Sequence, residues 1–186
     1  MTEHVCPWWV GYLLASSVRR WLSQSPEEML GPFVRDGITV LEPGPGMGFF
    51  TLPLARMVGP RGRLAAVDIQ PQMLSGVRRR AQKKGLTERI ETRLAGHDQM
   101  GLDDLAGTVD FALAFAVVHE MPSADKFFRE VAGALKSGGV LFFAEPSGPV
   151  KPVKFQQEFE ESRAAGLETL DRPAVRRSHA VVLRKP

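Results

Sequence analysis

The sequence predicts a single α/β domain in which helices cover both faces of a largely parallel sheet. Strand-like apolar runs alternate with helix-like runs along most of the 186 residues, and such alternation builds a parallel sheet with right-handed crossovers. The first predicted strand ends in an acid, and three glycines follow it at alternate positions in Glu42-Pro43-Gly44-Pro45-Gly46-Met47-Gly48. The second predicted strand ends in another acid, Asp68, about 20 residues beyond the glycines. These residues predict a ligand site at one edge of the sheet.

The composition is that of a globular protein without disulfides. Apolar residues make up 44% of the chain and charged residues 24%, which excludes intrinsic disorder. The single cysteine, Cys6, excludes an internal disulfide framework and a zinc site built from several cysteines. The first residues do not resemble a signal peptide, and the longest apolar-leaning run, residues 6–15, is shorter than the roughly 20 residues of a membrane span. We therefore expect a cytoplasmic protein with no transmembrane segment and no metal centre.

The N-terminal segment has helical character over residues 7–31. Ser25 followed by Pro26 is typical of an N-cap and the first turn of a helix, here one that runs to Leu30. Residues 6–14 are rich in aromatic side chains, and three interpretations stay open: a helix packed on the sheet edge, a lid over an apolar substrate, or a helix on a membrane surface. We divide the chain into an N-terminal helical segment, residues 1–32, and a core, residues 33–186.

The core begins with five strands and three helices in alternation. We predict strands over residues 38–42, 63–68, 90–95, 109–115 and 140–145, with helices over residues 50–58, 71–84 and 124–136. In the third helix, Phe127, Phe128, Val131 and Leu135 share one face at a period of 3.6 residues, and Gly138-Gly139 predict its end. The chain then continues with a predicted helix over residues 155–165 and an antiparallel hairpin of strands over residues 167–170 and 178–184.

The glycine-rich turn predicts a nucleoside-containing cofactor. Glycine lets the backbone approach a ligand closely, and the start of the following helix favours a negatively charged group. An acid at the position of Asp68 is typical of folds that hold a ribose hydroxyl. Phe49 occupies the place where a dinucleotide fingerprint has its third small residue, which disfavours a nicotinamide cofactor without excluding one.

Taken in order, these motifs resemble those of the class I S-adenosylmethionine-dependent methyltransferases over roughly residues 33–185. The glycine loop, Val67-Asp68-Ile69 and Val109-Asp110-Phe111 are each similar to a family motif, as is Leu135-Lys136-Ser137-Gly138-Gly139-Val140-Leu141, with Ser137 where proline is usual. The final hairpin resembles the sixth and seventh strands of the family. The resemblance implies a Rossmann-like three-layer sandwich with a seven-stranded, mostly parallel sheet, an antiparallel last strand and preceding N-terminal helices.

The resemblance implies S-adenosyl-L-methionine as cofactor and S-adenosyl-L-homocysteine as product. The glycine turn would meet the methionine carboxylate, with the acid before it near the amino group. The second-strand acid would bind the ribose, and the isoleucine after it would pack on the adenine. After the third strand, Asp98 is the preferred partner of the adenine amino group and His97 the alternative. The implied cofactor-binding residues are Glu42, Gly44, Pro45, Gly46, Gly48, Asp68, Ile69, His97, Asp98 and Phe115.

Three residues after the fourth and fifth strands are candidates for catalysis: His119, Glu120 and Glu145. The carboxyl ends of parallel strands face the crevice where ligands bind, and a histidine there can take a proton from an acceptor hydroxyl or amine. His119 is the preferred base, with Glu120 or Glu145 as alternatives. An equally open alternative is that His119 orders the loop and Glu120 caps it. A catalytic base would not be needed if the acceptor were a thiol, a neutral amine or a stabilised carbanion.

The predicted function is direct, in-line methyl transfer to a small molecule. The chain has no large insertion for a macromolecular acceptor and no Asn/Asp-Pro-Pro-Tyr motif of adenine methylation. Arg78-Arg79-Arg80 with Lys83-Lys84 form a basic run, but a solvated helix face is favoured over nucleic-acid binding, and the net charge is only +3. The alternatives are an NAD(P)-dependent oxidoreductase and a non-catalytic member of the fold that holds the cofactor.

Overall fold

The computed structural model describes residues 25–96 and 98–186, and these form an α/β fold around a seven-stranded sheet. The strand order is β3-β2-β1-β4-β5-β7-β6. Strands β1 to β5 are parallel, whereas β7 is antiparallel to both β5 and β6. The predicted sheet with its antiparallel last strand is therefore confirmed. The strands are β1 (Thr39–Pro43), β2 (Arg63–Asp68), β3 (Ile90–Leu94), β4 (Val109–Phe115), β5 (Leu135–Pro146), β6 (Glu168–Asp171) and β7 (Ser178–Arg184).

Helices connect the strands, and their first residues follow ordinary capping rules. Ser25 is the N-cap of α1, where its hydroxyl accepts the backbone N–H of Glu28 at 3.0 Å. Ser123 caps α4 in the same way through the N–H of Lys126 at 3.2 Å. The aromatic segment predicted to be helical lies in residues 1–24, outside the described residues. The helices are α1 (Pro26–Leu30), α2 (Thr51–Met57), α3 (Pro71–Lys83), α4 (Ala124–Ala134) and α5 (Pro152–Ala164).

The core consists of two apolar layers, one on each face of the sheet. Successive strand residues point to opposite faces, so Phe142 of β5 packs in the layer that contains α2, while Phe143 packs in the layer that contains α4 and α5. The second layer includes a row of rings in which Phe128 lies 5.2 Å from Phe143, which in turn lies 5.0 Å from Phe155. These layers hold the carboxyl ends of the parallel strands at one edge. None of the helices described is long and apolar enough to cross a lipid bilayer.

The junction between α4 and β5 differs from the prediction. The helix ends at Ala134 rather than at residue 136, and β5 begins at Leu135 rather than at residue 140. Leu135 is fully buried, as its place in the helical pattern suggested, but it is extended and pairs with Val109. The register shifts before Phe111 pairs with Val140, which places Gly138 and Gly139 in the irregular stretch. Pairing with β4 therefore overrides helical periodicity at this point.

Replacing Phe128 by alanine tests the packing of α4. The side chain is completely buried, so Phe128→Ala should lower the free energy of unfolding by about 3–5 kcal/mol through lost burial and a residual cavity. Urea unfolding measures the change. Val153→Ala is the control, because Val153 is 72% exposed and its loss should change stability by less than about 0.5 kcal/mol. Equal effects of the two substitutions would contradict the described core.

Candidate active site

A cavity of about 400 Å³ opens at the carboxyl ends of β1, β2 and β3. It lies between the loops after these strands and the turn after β4, where ligands bind in open α/β sheets. Its lining includes five of the predicted site residues: Gly44, Asp68, Ile69, Asp98 and Glu120. A second, more open cavity of about 720 Å³ lies beside β6 and is lined by Phe159, Arg163, Gly166, Leu167, Glu168, Thr169, Arg172 and Pro186.

The glycine loop needs glycine at Gly44 because the turn after β4 lies against it. Gly44 has a φ of +65°, and a Cβ there would lie 2.4 Å from Cγ2 of Val117. Its N–H donates to the carbonyl of Val67 at 2.9 Å, which ties the loop to β2. At Gly46, with a φ of +52°, a Cβ would meet nothing within 4 Å. The loop is thus packed against the protein at Gly44 and open at Gly46, as a backbone cradle for a ligand requires.

Two carboxylates flank this loop in environments of low polarity. Glu42 is 3% exposed, and its Oε2 has no hydrogen-bond partner among the described residues. Burial raises the pKa of Glu42 to about 8, with the Thr51 hydroxyl opposing the rise and the charge of Asp68 adding to it. Burial also raises the pKa of Asp68 to about 6, although backbone N–H groups oppose it, including that of Gln70 at 2.8 Å. The unpartnered oxygen of the buried Glu42 fits a cationic amino group, which would favour the ionised form, and S-adenosylmethionine carries such a group.

The lining of the cavity also includes apolar side chains and an acid. Ile69 is 42% exposed, and Met100, Met121 and Asp98 line the same cavity. His97 lies outside the described residues. The predicted pocket residue Phe115 instead packs on Phe50, with ring centroids 4.8 Å apart, and is not part of the lining.

Some residues that support the site were missed by sequence reasoning. Arg80, interpreted as part of a solvated basic run, donates a hydrogen bond to the carbonyl of Met47 in the glycine loop. Neighbouring Arg78 donates to the Thr92 hydroxyl at 2.8 Å. Met121 could have been found, because it lies in the turn that follows the fourth strand. Nothing in the sequence pointed to Arg80, Met100, Lys126 or Glu130.

Glu145 is the buried centre of the turn that follows β4. Its side chain is fully buried at the end of β5, and Oε1 accepts the backbone N–H groups of Val117, Val118 and His119 at 3.2, 2.7 and 3.4 Å. Just before them, Ala116 has a φ of +56°, which is uncommon for a residue with a side chain. Glu145 therefore holds a strained turn in place and does not itself face the cavity.

His119 lies between Glu145 and Glu120. Its Nδ1 is 2.5 Å from Oε2 of Glu145, and its Nε2 is 3.9 Å from Oε1 of Glu120, a residue that lines the cavity. A carboxylate at Nδ1 favours the tautomer with hydrogen on Nδ1, which leaves Nε2 free to accept a proton. Burial lowers the pKa of His119, but the hydrogen bond and charge of Glu145, with the charges of Glu120 and Glu158, raise it above its ordinary value overall. The geometry is that of a histidine base oriented by a carboxylate.

Comparison with known proteins gives one family and several related folds. Residues 41–143 match the family described as "Methyltransferase domain". A ubiquinone biosynthesis O-methyltransferase from Methylocella silvestris is 29% identical over 130 residues, which are 70% of this chain and 48% of that protein. The ubiquinone/menaquinone biosynthesis C-methyltransferase UbiE from Hahella chejuensis is 30% identical over 120 residues, which are 64% of this chain and 47% of that protein. The chain thus spans about half the length of these relatives.

Two solved structures share the fold over nearly the whole chain. A SAM-dependent methyltransferase from Aquifex aeolicus superposes with a TM-score of 0.83 at 23% identity, covering 96% of this chain and 98% of that one. The [4+2]-cyclase SpnF superposes with a TM-score of 0.75 at 17% identity, covering 96% of both chains. Because one of these proteins is a methyltransferase and the other a cyclase, the fold alone does not determine the reaction.

Alanine at Gly44 and at Gly46 should have different effects. Gly44→Ala combines a strained φ with the contact to Val117, and we expect a loss of about 2–4 kcal/mol in stability. Gly46→Ala carries only the backbone strain, about 1 kcal/mol. A methyl group at this open position should weaken S-adenosylhomocysteine binding at least tenfold, provided that the loop holds the ligand through its backbone. Urea unfolding and calorimetry measure the two effects. Unchanged affinity in Gly46→Ala would contradict a backbone cradle at this position.

The buried Glu42 should make stability decrease with pH. Because its pKa rises from an ordinary 4.5 to about 8, the folded chain binds more protons than the unfolded chain. Its contribution is complete below pH 4.5 and lost as pH rises to about 8, by up to about 1.4 kcal/mol per pH unit. Urea unfolding between pH 6.5 and 8 avoids most of the titration of Asp68, whose pKa is about 6; His119, whose pKa is raised above 6.5, adds a slope of the same sign, so the comparison with Glu42→Gln identifies the share of Glu42. Glu42→Gln should remove most of the slope, and an identical slope in both proteins would exclude a buried, protonated Glu42.

Proposed function

The chain belongs to the methyltransferase domain family, whose cofactor is S-adenosylmethionine, and we propose that it methylates a small-molecule acceptor. The observation that carries this proposal is the position of the pair formed by His119 and Glu145 beside the cavity. The histidine lies next to Glu120, which lines the cavity that also contains Asp68 and the glycine loop. On this proposal the cavity would hold the nucleoside, and His119, which lies beside Glu120 without lining the cavity itself, would be the base.

On this proposal the residues in and beside the cavity would divide the binding of the cofactor among them. Glu42 would pair with its amino group, and the glycine loop would meet its carboxylate. Asp68 would bind the ribose hydroxyls, with Ile69 and Asp98 at the adenine. When bound, the cofactor supplies a methyl group on a positively charged sulfur, which a nucleophile can attack in line. The task left to the protein is to position the acceptor and exclude water.

The names of the relatives support a hydroxylated aromatic ring as the acceptor to test first. One is an O-methyltransferase and the other a C-methyltransferase, and both act in the biosynthesis of ubiquinone. Removal of a proton from a ring hydroxyl would promote both O-methylation and C-methylation, because a phenolate is nucleophilic at oxygen and at ring carbon. A small acceptor also agrees with the short connections between strands in this chain.

His119 would remove this proton. Neutral Nε2 accepts the hydroxyl hydrogen, and Glu145 keeps Nδ1–H in place and stabilises the imidazolium that forms. Burial strengthens this stabilisation, because Glu145 is fully enclosed and its charge is poorly screened. Glu120 lies at the cavity side of the ring and would orient the acceptor hydroxyl. Glu145 acts through the histidine, so it is a positioning residue rather than a base in its own right.

Replacing His119 by glutamine tests the base. The amide keeps a hydrogen bond to Glu145 but cannot accept the proton, so kcat should fall by about 10²–10⁴-fold with little change in KM. Phenols of matched size and graded acidity make the assay more specific. With a phenol that is already ionised at the assay pH, the kcat of His119→Gln should fall only a few fold. Glu120→Gln is the comparison, with a change mainly in KM. Equal losses for ionised and neutral phenols, or no loss at all, would eliminate the base role.

A further inference from the structure

The loop after β3 forms one wall of the cavity, and most of its described residues, 95–96 and 98–100, are open to solvent. Asp98 and Gln99 are exposed, whereas Met100 at the end of the loop is buried, and all three line the cavity. Asp98 is the residue of this loop that would meet the adenine amino group. A loop presents a side chain less precisely than a helix or strand does, unless neighbouring groups hold its backbone.

Hydrogen bonds hold this loop at its two ends. At the start, the N–H of Ala95 donates to the carbonyl of Asp68 at 2.9 Å, which continues the pairing of β2 with β3. At the other end, the N–H of Met100 donates to Oε2 of Glu130 at 2.7 Å in a partly buried setting. The first bond is ordinary sheet pairing, whereas the second depends on one side chain from a helix 30 residues further along the chain.

Helix α4 presents Glu130 to the loop because its apolar face fixes its rotation. Phe127 and Phe128 are buried against the sheet. Lys126 and Glu130 lie four residues apart and thus on one face of the helix, and both line the cavity. A carboxylate that accepts a backbone N–H makes a shorter and stronger hydrogen bond than a neutral acceptor does. The bond from Met100 therefore ties the wall of the cavity to a rigid element.

We propose that Glu130 is a positioning residue for adenine recognition: by holding the N–H of Met100, it fixes the loop that brings Asp98 to the nucleobase. The inference rests on the cofactor placement in the proposed function, because Asp98 meets the adenine only there. Glu130 acts through the backbone between residues 98 and 100 and not through contact with the base. A carboxylate at the adenine amino group would reject a base with a carbonyl at that position, since two acceptors would then face each other.

The experiment compares the binding of S-adenosylhomocysteine and S-inosylhomocysteine by calorimetry. The second ligand has a carbonyl in place of the adenine amino group, so the ratio of the two Kd values measures recognition at this position. The unmodified protein should prefer S-adenosylhomocysteine by at least about tenfold, and Glu130→Ala should reduce the preference to less than about threefold. Glu130→Gln should keep most of it, because the amide oxygen can still accept the N–H of Met100. A purely structural role would weaken both ligands equally and leave the ratio unchanged.

A double-variant comparison shows whether Glu130 acts through Asp98. Asp98→Asn should remove the preference, because an amide can accept from an amino group and donate to a carbonyl. Adding Glu130→Ala to Asp98→Asn should then leave the ratio as it is, since both substitutions act on one contact. Arg129→Ala is the matched control on α4, because Arg129 is exposed and pairs with Asp125; it should keep the full preference.

A melting curve verifies that each variant folds. If Glu130→Ala does not fold, Glu130→Asp decides, because it keeps the charge while its shorter side chain withdraws the carboxylate from the N–H of Met100; it too should lose preference.

Three outcomes would overturn the proposal: an unmodified protein without preference, an unchanged preference in Glu130→Ala, or an equal loss of preference in Arg129→Ala. Calorimetry requires no acceptor, so a protein that shows the expected ratios but methylates no small molecule contradicts the proposed function and not this inference. Methyl transfer with an unchanged preference in Glu130→Ala contradicts this inference alone.

Discussion

The hydrogen bonds of the buried Glu145 carboxylate are the interaction on which the site depends. A fully enclosed carboxylate must be solvated by the protein, and here three backbone N–H groups of the turn after β4 and the ring of His119 do this. The same contacts hold Ala116 at a positive φ and place Val117 against Gly44. The turn that carries the histidine is thus packed directly on the cofactor loop. The proposed cofactor binding and the proposed proton transfer would therefore share one set of contacts.

Carboxylates dominate both sides of this site, and their burial gives them a common electrostatic role. Glu42 and Asp68 flank the glycine loop with pKa values raised to about 8 and about 6, while Glu145 lies behind the histidine. A bound cationic amino group would favour the ionised form of these acids, whereas a pyrophosphate would not. Phe49 adds a steric argument, because its ring packs edge-on against Phe50 with centroids 5.0 Å apart, where a dinucleotide fold has a small residue.

Local sequence signals predicted the fold well, because strand periodicity, the glycine turn and the final hairpin each depend on a few neighbouring residues. The family predicted from the order of these motifs is confirmed, whereas the individual residue roles remain predictions. The predicted start of β5 was wrong, because the pairing of Leu135 with Val109 overrides the helical spacing of the apolar residues. Arg80 could not be recognised, because its partner, the carbonyl of Met47, comes from a distant part of the chain. The sequence placed Glu145 at the correct edge of the sheet. It could not predict that this side chain is buried, because the burial depends on the turn that follows β4.

The most direct test of the account is calorimetric titration of the protein with S-adenosylhomocysteine, run in parallel with NADH. The acid-flanked loop, the open backbone at Gly46 and the ring of Phe49 predict micromolar binding of S-adenosylhomocysteine and none of NADH. Binding of NADH alone would contradict the central claim, since Asp68 would then serve a dinucleotide ribose and the His119 pair would need a role other than methyl transfer.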